Sequence, residues 1–201
     1  MLLVLVCLTA VLALMGGAGV AFGIGAATSL APDRSGLWST VGGAFGGMLV
    51  GAVVKLLGLD AFNLLFGHSP GAITGAAEGA VLGAALGLGA WLATLTAGPP
   101  RGVPSFAAGG LAGAAAGAVV PLFGGRLMGG SLDLLARQFP QSRLSLDPIG
   151  AVFGENGFGP ISQIVTGGIE GLLFGGCVVG AMMLARRLMA GPVSGNGGRE
   201  P

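Results

Sequence analysis

Apolar residues fill five long runs of the chain, and short stretches with the charges and most of the prolines separate these runs. Each run has about 20 residues or more, which at 1.5 Å per residue is enough to cross about 30 Å of hydrocarbon as an α-helix. The pattern therefore predicts five membrane spans, at residues 2–30, 39–58, 70–96, 105–124 and 161–188. The polar, Gly-rich residues 191–201 are expected to form a flexible tail.

The first run, residues 2–30, has the position of a signal peptide. It lacks a basic segment before the apolar run, has no convincing cleavage site of small residues, and is longer than a signal sequence. We therefore expect an uncleaved first span.

The composition excludes several classes of protein. Of the 201 residues 53% are hydrophobic and 8% charged, and the net charge is +1, whereas a soluble domain has about 25% charged residues. A near-neutral chain also lacks the basic surface that binds nucleic acid. The single His68 cannot build a metal site, Cys7 and Cys177 are expected to be packing residues, and no cofactor is predicted.

An internal duplication organises the rest of the chain. Four blocks recur in the same order: Gly43 to Val54 matches Gly109 to Val120, Leu59-Asp60 matches Leu146-Asp147, Phe66-Gly67 matches Phe153-Gly154, and Thr74 to Gly79 matches Thr166 to Gly171. Each unit predicts a glycine-rich span, a short helix, a return and a second span. Asp60 or Asp147 would be the N-cap of the short helix, Gly67 or Gly154 its end, and Pro70 or Pro160 the start of the return.

The predicted fold is an all-α, polytopic membrane helical bundle of about five spans (1 + 2 + 2) in a single transmembrane domain, residues 1–190. Repeat one covers 39–96 and repeat two covers 105–188, with the span 2–30 outside the duplication. Two spans return the chain to its starting side, so the copies are parallel and their relating axis is expected along the membrane normal.

Repeat two carries an insertion at about residues 127–139. Apolar residues recur in it at helical spacing, at Met128, Leu132, Leu135 and Phe139, and Asp133 and Arg137 form an i,i+4 pair. The pattern predicts an amphipathic helix that Pro140 ends, lying on the bilayer surface or capping the bundle. A docking or gating element is the alternative.

Glycines recur at every fourth residue in the second span of each repeat. In lipid such a stripe lets a neighbouring helix approach closely, which is glycine-zipper packing. The stripes could all be used within one chain, or some could contact another copy, which is the basis of an oligomer hypothesis. The predicted helix-packing residues are Gly75, Gly79, Gly83, Gly87, Gly167, Gly171 and Gly175.

Two carboxylates lie inside predicted spans, Glu78 and Glu170, at equivalent positions of the repeats. Ionisable groups at membrane depth are costly and mark functional sites by default. With Thr74 and Thr166, the pair could share a proton or bind a cation across a common centre. The structural alternative is that each Glu hydrogen-bonds a neighbouring helix, and a partner contact is the third.

The charges give an orientation. Arg186 and Arg187 lie directly at the end of the last span, and Trp38 and Trp91 fall on the same side, near headgroup level. We therefore expect a cytoplasmic C-terminus and an outside N-terminus, in a bacterial-type inner or plasma membrane.

The duplicated hairpin with a glycine-rich first helix and a Glu on the second resembles the layout of rotary-ATPase proteolipid subunits. The resemblance is of layout only, since in those subunits the carboxylate lies near the middle of its helix. The sequence departs from the family because Glu78 and Glu170 come early in their helices and His68-Ser69-Pro70 differs from its polar loop. The glycine spacing is also similar to that of the four-span mitochondrial translocase family, whose charged loop signature is absent here. No family is assigned.

The sequence thus predicts a non-enzymatic membrane subunit that associates with copies of itself or with other membrane proteins in the lipid bilayer. The alternative is a proton or small-cation channel or carrier that uses Glu78 and Glu170. An enzyme is not expected, because Ser69 beside His68 and the pair Glu155-Asn156 are isolated polar groups.

Overall fold

A computed structural model describes residues 2–67, 74–95, 102–138 and 145–190. These residues are mostly helical. In chain order they are α1 (Leu2–Leu30), a short 3-10 helix (Pro32–Arg34), α2 (Ser35–Phe66), α3 (Ala76–Leu95), α4 (Gly102–Leu122), α5 (Met128–Gln138), α6 (Asp147–Val152) and α7 (Pro160–Ala190).

The all-α bundle that the sequence predicts is confirmed. Within the described ranges five helices, α1, α2, α3, α4 and α7, are long and apolar enough to cross a membrane. The chain is a multi-pass integral membrane protein. Helices adjacent in this series pack against each other, and the most extensive packing is within the pairs α2–α3 and α4–α7.

A small apolar core lies where α1, α3 and α7 meet. Ile24, Leu86 and Val179 are almost completely buried there, and Ala90 and Met183 complete the contact. In the same half of the bundle, a Cβ on Gly36 would lie 2.7 Å from the indole of Trp91. The start of α2 and the end of α3 are therefore neighbours, and we call this end, which holds Trp38 and Trp91, the tryptophan end.

The helices of the α2–α3 pair approach backbone to backbone through facing glycines. A Cβ on most of these residues would collide with the carbonyl oxygen of the facing glycine, and one on Gly75 would meet the side chain of Lys55. Such an approach allows dispersion and Cα–H···O contacts along the helices. The facing pairs are Gly43 with Gly83, Gly47 with Gly79, and Gly51 with Gly75.

The α4–α7 pair has the same arrangement, and α1 meets α2 in a similar way. In the first case the facing pairs are Gly109 with Gly175, Gly113 with Gly171, and Gly117 with Gly167; in the second they are Gly19 with Gly46 and Gly23 with Gly42. Near the tryptophan end, Gly87 packs on the backbone of Ser39, whose buried hydroxyl donates a hydrogen bond of 2.6 Å to the Gly87 carbonyl oxygen. These stripes therefore face each other within one chain.

One prediction for repeat one is wrong. Asp60 does not open a short helix, because α2 continues through it as a single helix from Ser35 to Phe66. Leu56, Leu57 and Leu59 around it favour helix, so the carboxylate does not interrupt the hydrogen-bonded backbone. Gly67 ends the helix as predicted, with φ 70° and its N–H donating to the Asn63 carbonyl oxygen at 2.9 Å. Pro70 lies outside the described residues.

Repeat two does contain the short helix, α6, but Asp147 is its first residue and not its N-cap. The preceding residue, Leu146, makes no side-chain cap, and the Asp147 carboxylate accepts from the Ser145 hydroxyl at 3.1 Å. A left-handed Gly154 (φ 72°) follows α6, and Pro160 begins α7, as predicted.

The inserted amphipathic helix is confirmed as α5, Met128–Gln138. Its Asp133–Arg137 pair forms an ion pair of 2.9 Å between Oδ2 and Nε. The predicted end of the helix, at Phe139 and Pro140, lies outside the described residues.

Candidate functional site

Glu170 binds the start of α5. Its Oε2 accepts a hydrogen bond of 2.9 Å from the N–H of Met128, and its Oε1 accepts one of 2.8 Å from the N–H of Gly129. These are the first two residues of α5, whose N–H groups have no partner inside their own helix. A carboxylate at this place also complements the positive end of the helix dipole. Glu170 therefore caps α5 from a different helix, α7.

Gly129 makes that approach possible. A Cβ on it would lie 3.1 Å from Glu170 Oε1, 3.2 Å from the ring of Phe158 and 3.3 Å from Thr166 Oγ1. Thr166 lies one turn before Glu170 on α7, and its hydroxyl donates to the Ser162 carbonyl oxygen at 2.7 Å. Thr166 thus packs beside the cap while its own hydrogen bond stays within α7.

Glu78 caps its own helix. Its Oε2 accepts a hydrogen bond of 2.9 Å from the N–H of Gly75, three residues earlier, which is the Glu half of a capping box. The predicted span 70–96 would put Glu78 about 12 Å along the helix. Because α3 begins at Ala76, Glu78 lies in the first turn, at the end of the span rather than at its middle.

Thr74 ties the start of α3 to the α4–α5 connection. Its hydroxyl donates to the Arg126 carbonyl oxygen at 2.7 Å and lies 2.9 Å from the hydroxyl of Ser131. Its N–H donates to the same Ser131 oxygen at 3.2 Å. The inserted segment is therefore bonded to repeat one through Thr74 and to repeat two through Glu170.

The two carboxylates contact the same inserted segment at different points. A Cβ on Gly125 would lie 3.3 Å from Glu78 Cγ, whereas Gly129 adjoins Glu170. The gap between α4, α5 and α7 beside Glu170 and Thr166, which Arg126 and Gln163 also border, does not admit a water molecule. Both carboxylates bind backbone N–H groups here, and the proton or cation site remains a hypothesis.

Lys55 lies at the same end of the bundle as Glu78. Its stem packs over the start of α3, so that a Cβ on Gly75 would lie 2.6 Å from Lys55 Cδ and 3.3 Å from Nζ. We call this end, which holds Glu78 and Glu170, the carboxylate end. Within the described ranges, no group of three or more His, Cys, Asp or Glu residues could hold a metal ion.

Sequence reasoning missed the role of Glu155, and the expectation that it is isolated is wrong. Its carboxylate accepts from the N–H groups of Ile161 and Ser162, both at 2.9 Å, and from the Ser162 hydroxyl at 2.6 Å. The hydroxyl of Ser162, with the two backbone N–H groups, holds the pKa of Glu155 below its ordinary value. Glu155 therefore caps α7. An acidic residue shortly before a Pro-initiated helix was the signal in the sequence.

No protein-family model, curated protein or solved structure matches the chain. The geometry of its own residues is therefore the basis for a functional proposal.

Proposed function

We propose that this protein is a non-enzymatic membrane subunit that associates with a second copy of itself through α1. One observation carries the proposal: α1 is the span that its own chain covers least. In its apolar window 11% of the residues are buried, against 39% in α4. Residues 9–15, nearly two turns, include none that is buried on any face of the helix.

A defined surface of α1 is available for this contact. Cys7, Val11, Met15 and Phe22 fall on one stripe of the helix by their spacing, and all are exposed. We call this stripe the outer face of α1. A symmetric dimer would pack two outer faces against each other about a twofold axis along the membrane normal.

The use of the polar groups supports a structural role. Glu78 and Glu170 both accept hydrogen bonds from helix N-termini, and Glu155 does the same at α7. Those contacts stabilise the bundle and need no solute.

We further propose that the Arg186 end is cytoplasmic, because positively charged residues next to a span favour that side.

The pairing of the glycines supports a duplication. Gly43, Gly47 and Gly51 face α3 in the order in which Gly109, Gly113 and Gly117 face α7. Among the described residues, α5 and α6 occur in repeat two alone, and this difference accounts for the different partners of the two carboxylates. Glu78 caps its own helix, whereas Glu170 reaches the inserted α5.

The natural Cys7 tests the dimer directly. Copper-phenanthroline oxidation in native membranes should give a disulfide-linked dimer, because equivalent Cys7 residues would meet across the outer faces. Cys7→Ser should abolish the dimer, and Cys177→Ser, the matched control on α7, should leave it. A protein that stays monomeric under oxidation, or a dimer that depends on Cys177, would overturn the proposal.

The alternative, a proton or cation carrier, has a separate test. Purified protein in liposomes should then carry a pH-dependent flux that falls in the double variant Glu78→Gln, Glu170→Gln. The cap roles of these residues predict no flux in the wild type. A Glu155→Gln variant controls for the loss of a capping carboxylate elsewhere in the fold.

A further inference from the structure

An open apolar groove runs between α1 and α7 on the outside of the bundle. It has a volume of about 860 Å³. Phe174 and Val178 form its floor, next to Gly16 and Gly17. Small residues along both helices make it hollow, among them Ala13, Gly17, Ala21, Cys177, Ala181 and Ala185. We call it the α1–α7 groove, and on α1 it borders the outer face at Leu14 and Ala18.

The length of the groove matches one leaflet of a bilayer. On α7 its lining runs from Leu173 to Ala185, which is about 18 Å of helix. Half of the hydrocarbon core is about 15 Å thick. The groove is thus long enough for one acyl chain lying along the bundle, and on α7 it ends at Ala185, next to Arg186.

Positive charge lies at that end of the groove. Arg186 follows Val178 and Met182 at four-residue intervals, so it continues the row that lines the groove, and it is exposed. Arg187 follows the buried Val179 and Met183 at the same interval, so it lies on the inward side of α7 rather than in the groove, and its Nε and Nη2 are buried without a hydrogen-bond acceptor in the described part of the chain. Guanidinium groups pair with phosphate through charge-assisted hydrogen bonds.

We propose that the α1–α7 groove binds one phospholipid of the adjacent leaflet. One acyl chain lies along the small residues of α1 and α7, and the phosphate accepts hydrogen bonds from Arg186. A phospholipid fits both parts of this surface, since it joins an apolar chain of leaflet length to an anionic group. A transmembrane helix of a second copy would fill the groove but would bring no phosphate to Arg186.

Native mass spectrometry of the protein in mild detergent, titrated with phosphatidylglycerol, tests the proposal. One lipid should be retained per chain. A basic residue near a membrane surface contributes about a fivefold change in affinity for an anionic lipid, so Arg186→Gln with Arg187→Gln should weaken binding about thirty-fold. Arg137→Gln, at the other end of the bundle, is the charge-matched control and should leave binding unchanged.

Two further variants keep the test independent of folding defects. Arg186→Gln alone changes an exposed side chain and should weaken binding about fivefold. Ala181→Phe fills the groove without changing any charge and should also abolish retention of the lipid. In a Cys7→Ser background, bound lipid should slow the reaction of Cys177 with N-ethylmaleimide several-fold, which places the lipid in the groove.

Several results would overturn the assignment. Equal lipid affinity in the wild type and the double arginine variant would exclude the phosphate contact. Unchanged lipid retention in Ala181→Phe would exclude the groove as the binding site. If inorganic phosphate protected Cys177 as strongly as the phospholipid does, the site would bind an anion without binding an acyl chain. A disulfide-linked dimer through Cys177 would show that a second copy covers the groove.

Discussion

The close contact between Gly113 and Gly171 predicts that a single methyl group on α7 destabilises the bundle. In Gly171→Ala the new Cβ would collide with the Gly113 carbonyl oxygen, an atom of the backbone that cannot rotate away. The helices would have to separate by about 1 Å, which loses a quarter to a half of the dispersion energy of each contact between them. Overpacking of this kind costs about 1–3 kcal/mol.

Gly168 is a matched control on the same helix. A Cβ there would lie 3.7 Å from the Ala114 carbonyl oxygen, which is ordinary van der Waals contact. Both substitutions replace Gly with Ala inside α7, so the gain in helix propensity, about 1 kcal/mol, cancels between them. The difference in the free energy of unfolding should therefore be about 2 kcal/mol, with Gly171→Ala the less stable.

Thermal unfolding in mild detergent measures this difference. For a chain of this length about 2 kcal/mol corresponds to a difference in Tm of about 4–8 °C. Equal Tm values for the two variants would refute the backbone contact. Gly79→Ala in α3 meets Gly47 in the same way and should lose as much stability. A larger residue such as Leu at Gly79 or Gly171 would unfold the bundle, so its effect on assembly would not report on a dimer interface.

Three other changes test the polar contacts. Because the pKa of Glu155 is lowered in the folded state, its cap stabilises the protein above the ordinary pKa of the carboxyl. This stabilisation is lost as the pH falls through the folded-state pKa. Thermal unfolding at graded pH should show the loss in the wild type and not in Glu155→Gln. Glu170→Gln leaves one acceptor oxygen for two N–H groups and should cost about 1–2 kcal/mol, with faster hydrogen exchange in α5; unchanged exchange would contradict the cap. Ser39→Ala loses the buried bond to Gly87 and should cost about 1 kcal/mol, whereas the exposed Ser35→Ala should not.

Much of the fold was predictable because lipid demands long apolar helices, and their length is visible in the sequence. The amphipathic α5 was predictable for a similar reason, since its period is local. The error at Asp60 arose where an N-cap residue stands in a helix-favouring stretch, and the neighbouring leucines decided the outcome. Because Asp can be an N-cap or lie inside a helix, its presence alone does not predict where a helix begins.

The candidate site was only partly predictable. Glu155 was expected to be isolated, although it binds groups only six and seven residues away and the acidic residue before a Pro-initiated helix was a local signal for this cap. Glu170 binds N–H groups 41 and 42 residues away, on a helix whose docking depends on tertiary packing. No spacing in the sequence encodes that contact. The equivalence of Glu78 and Glu170 suggested a shared centre, but the inserted segment gives them different partners.

The unequal lengths of the helices have a consequence for the surrounding membrane. With 32 and 31 residues, α2 and α7 are each nearly 50 Å long, whereas α3, with 20 residues, is about 30 Å long. α3, and α4 with 21 residues, match a typical hydrocarbon core, whereas α2 and α7 must tilt or extend among the headgroups. A thicker bilayer would cover more of α2 and α7 while stretching past both ends of α3. The protein should therefore distribute unevenly between membranes of different thickness.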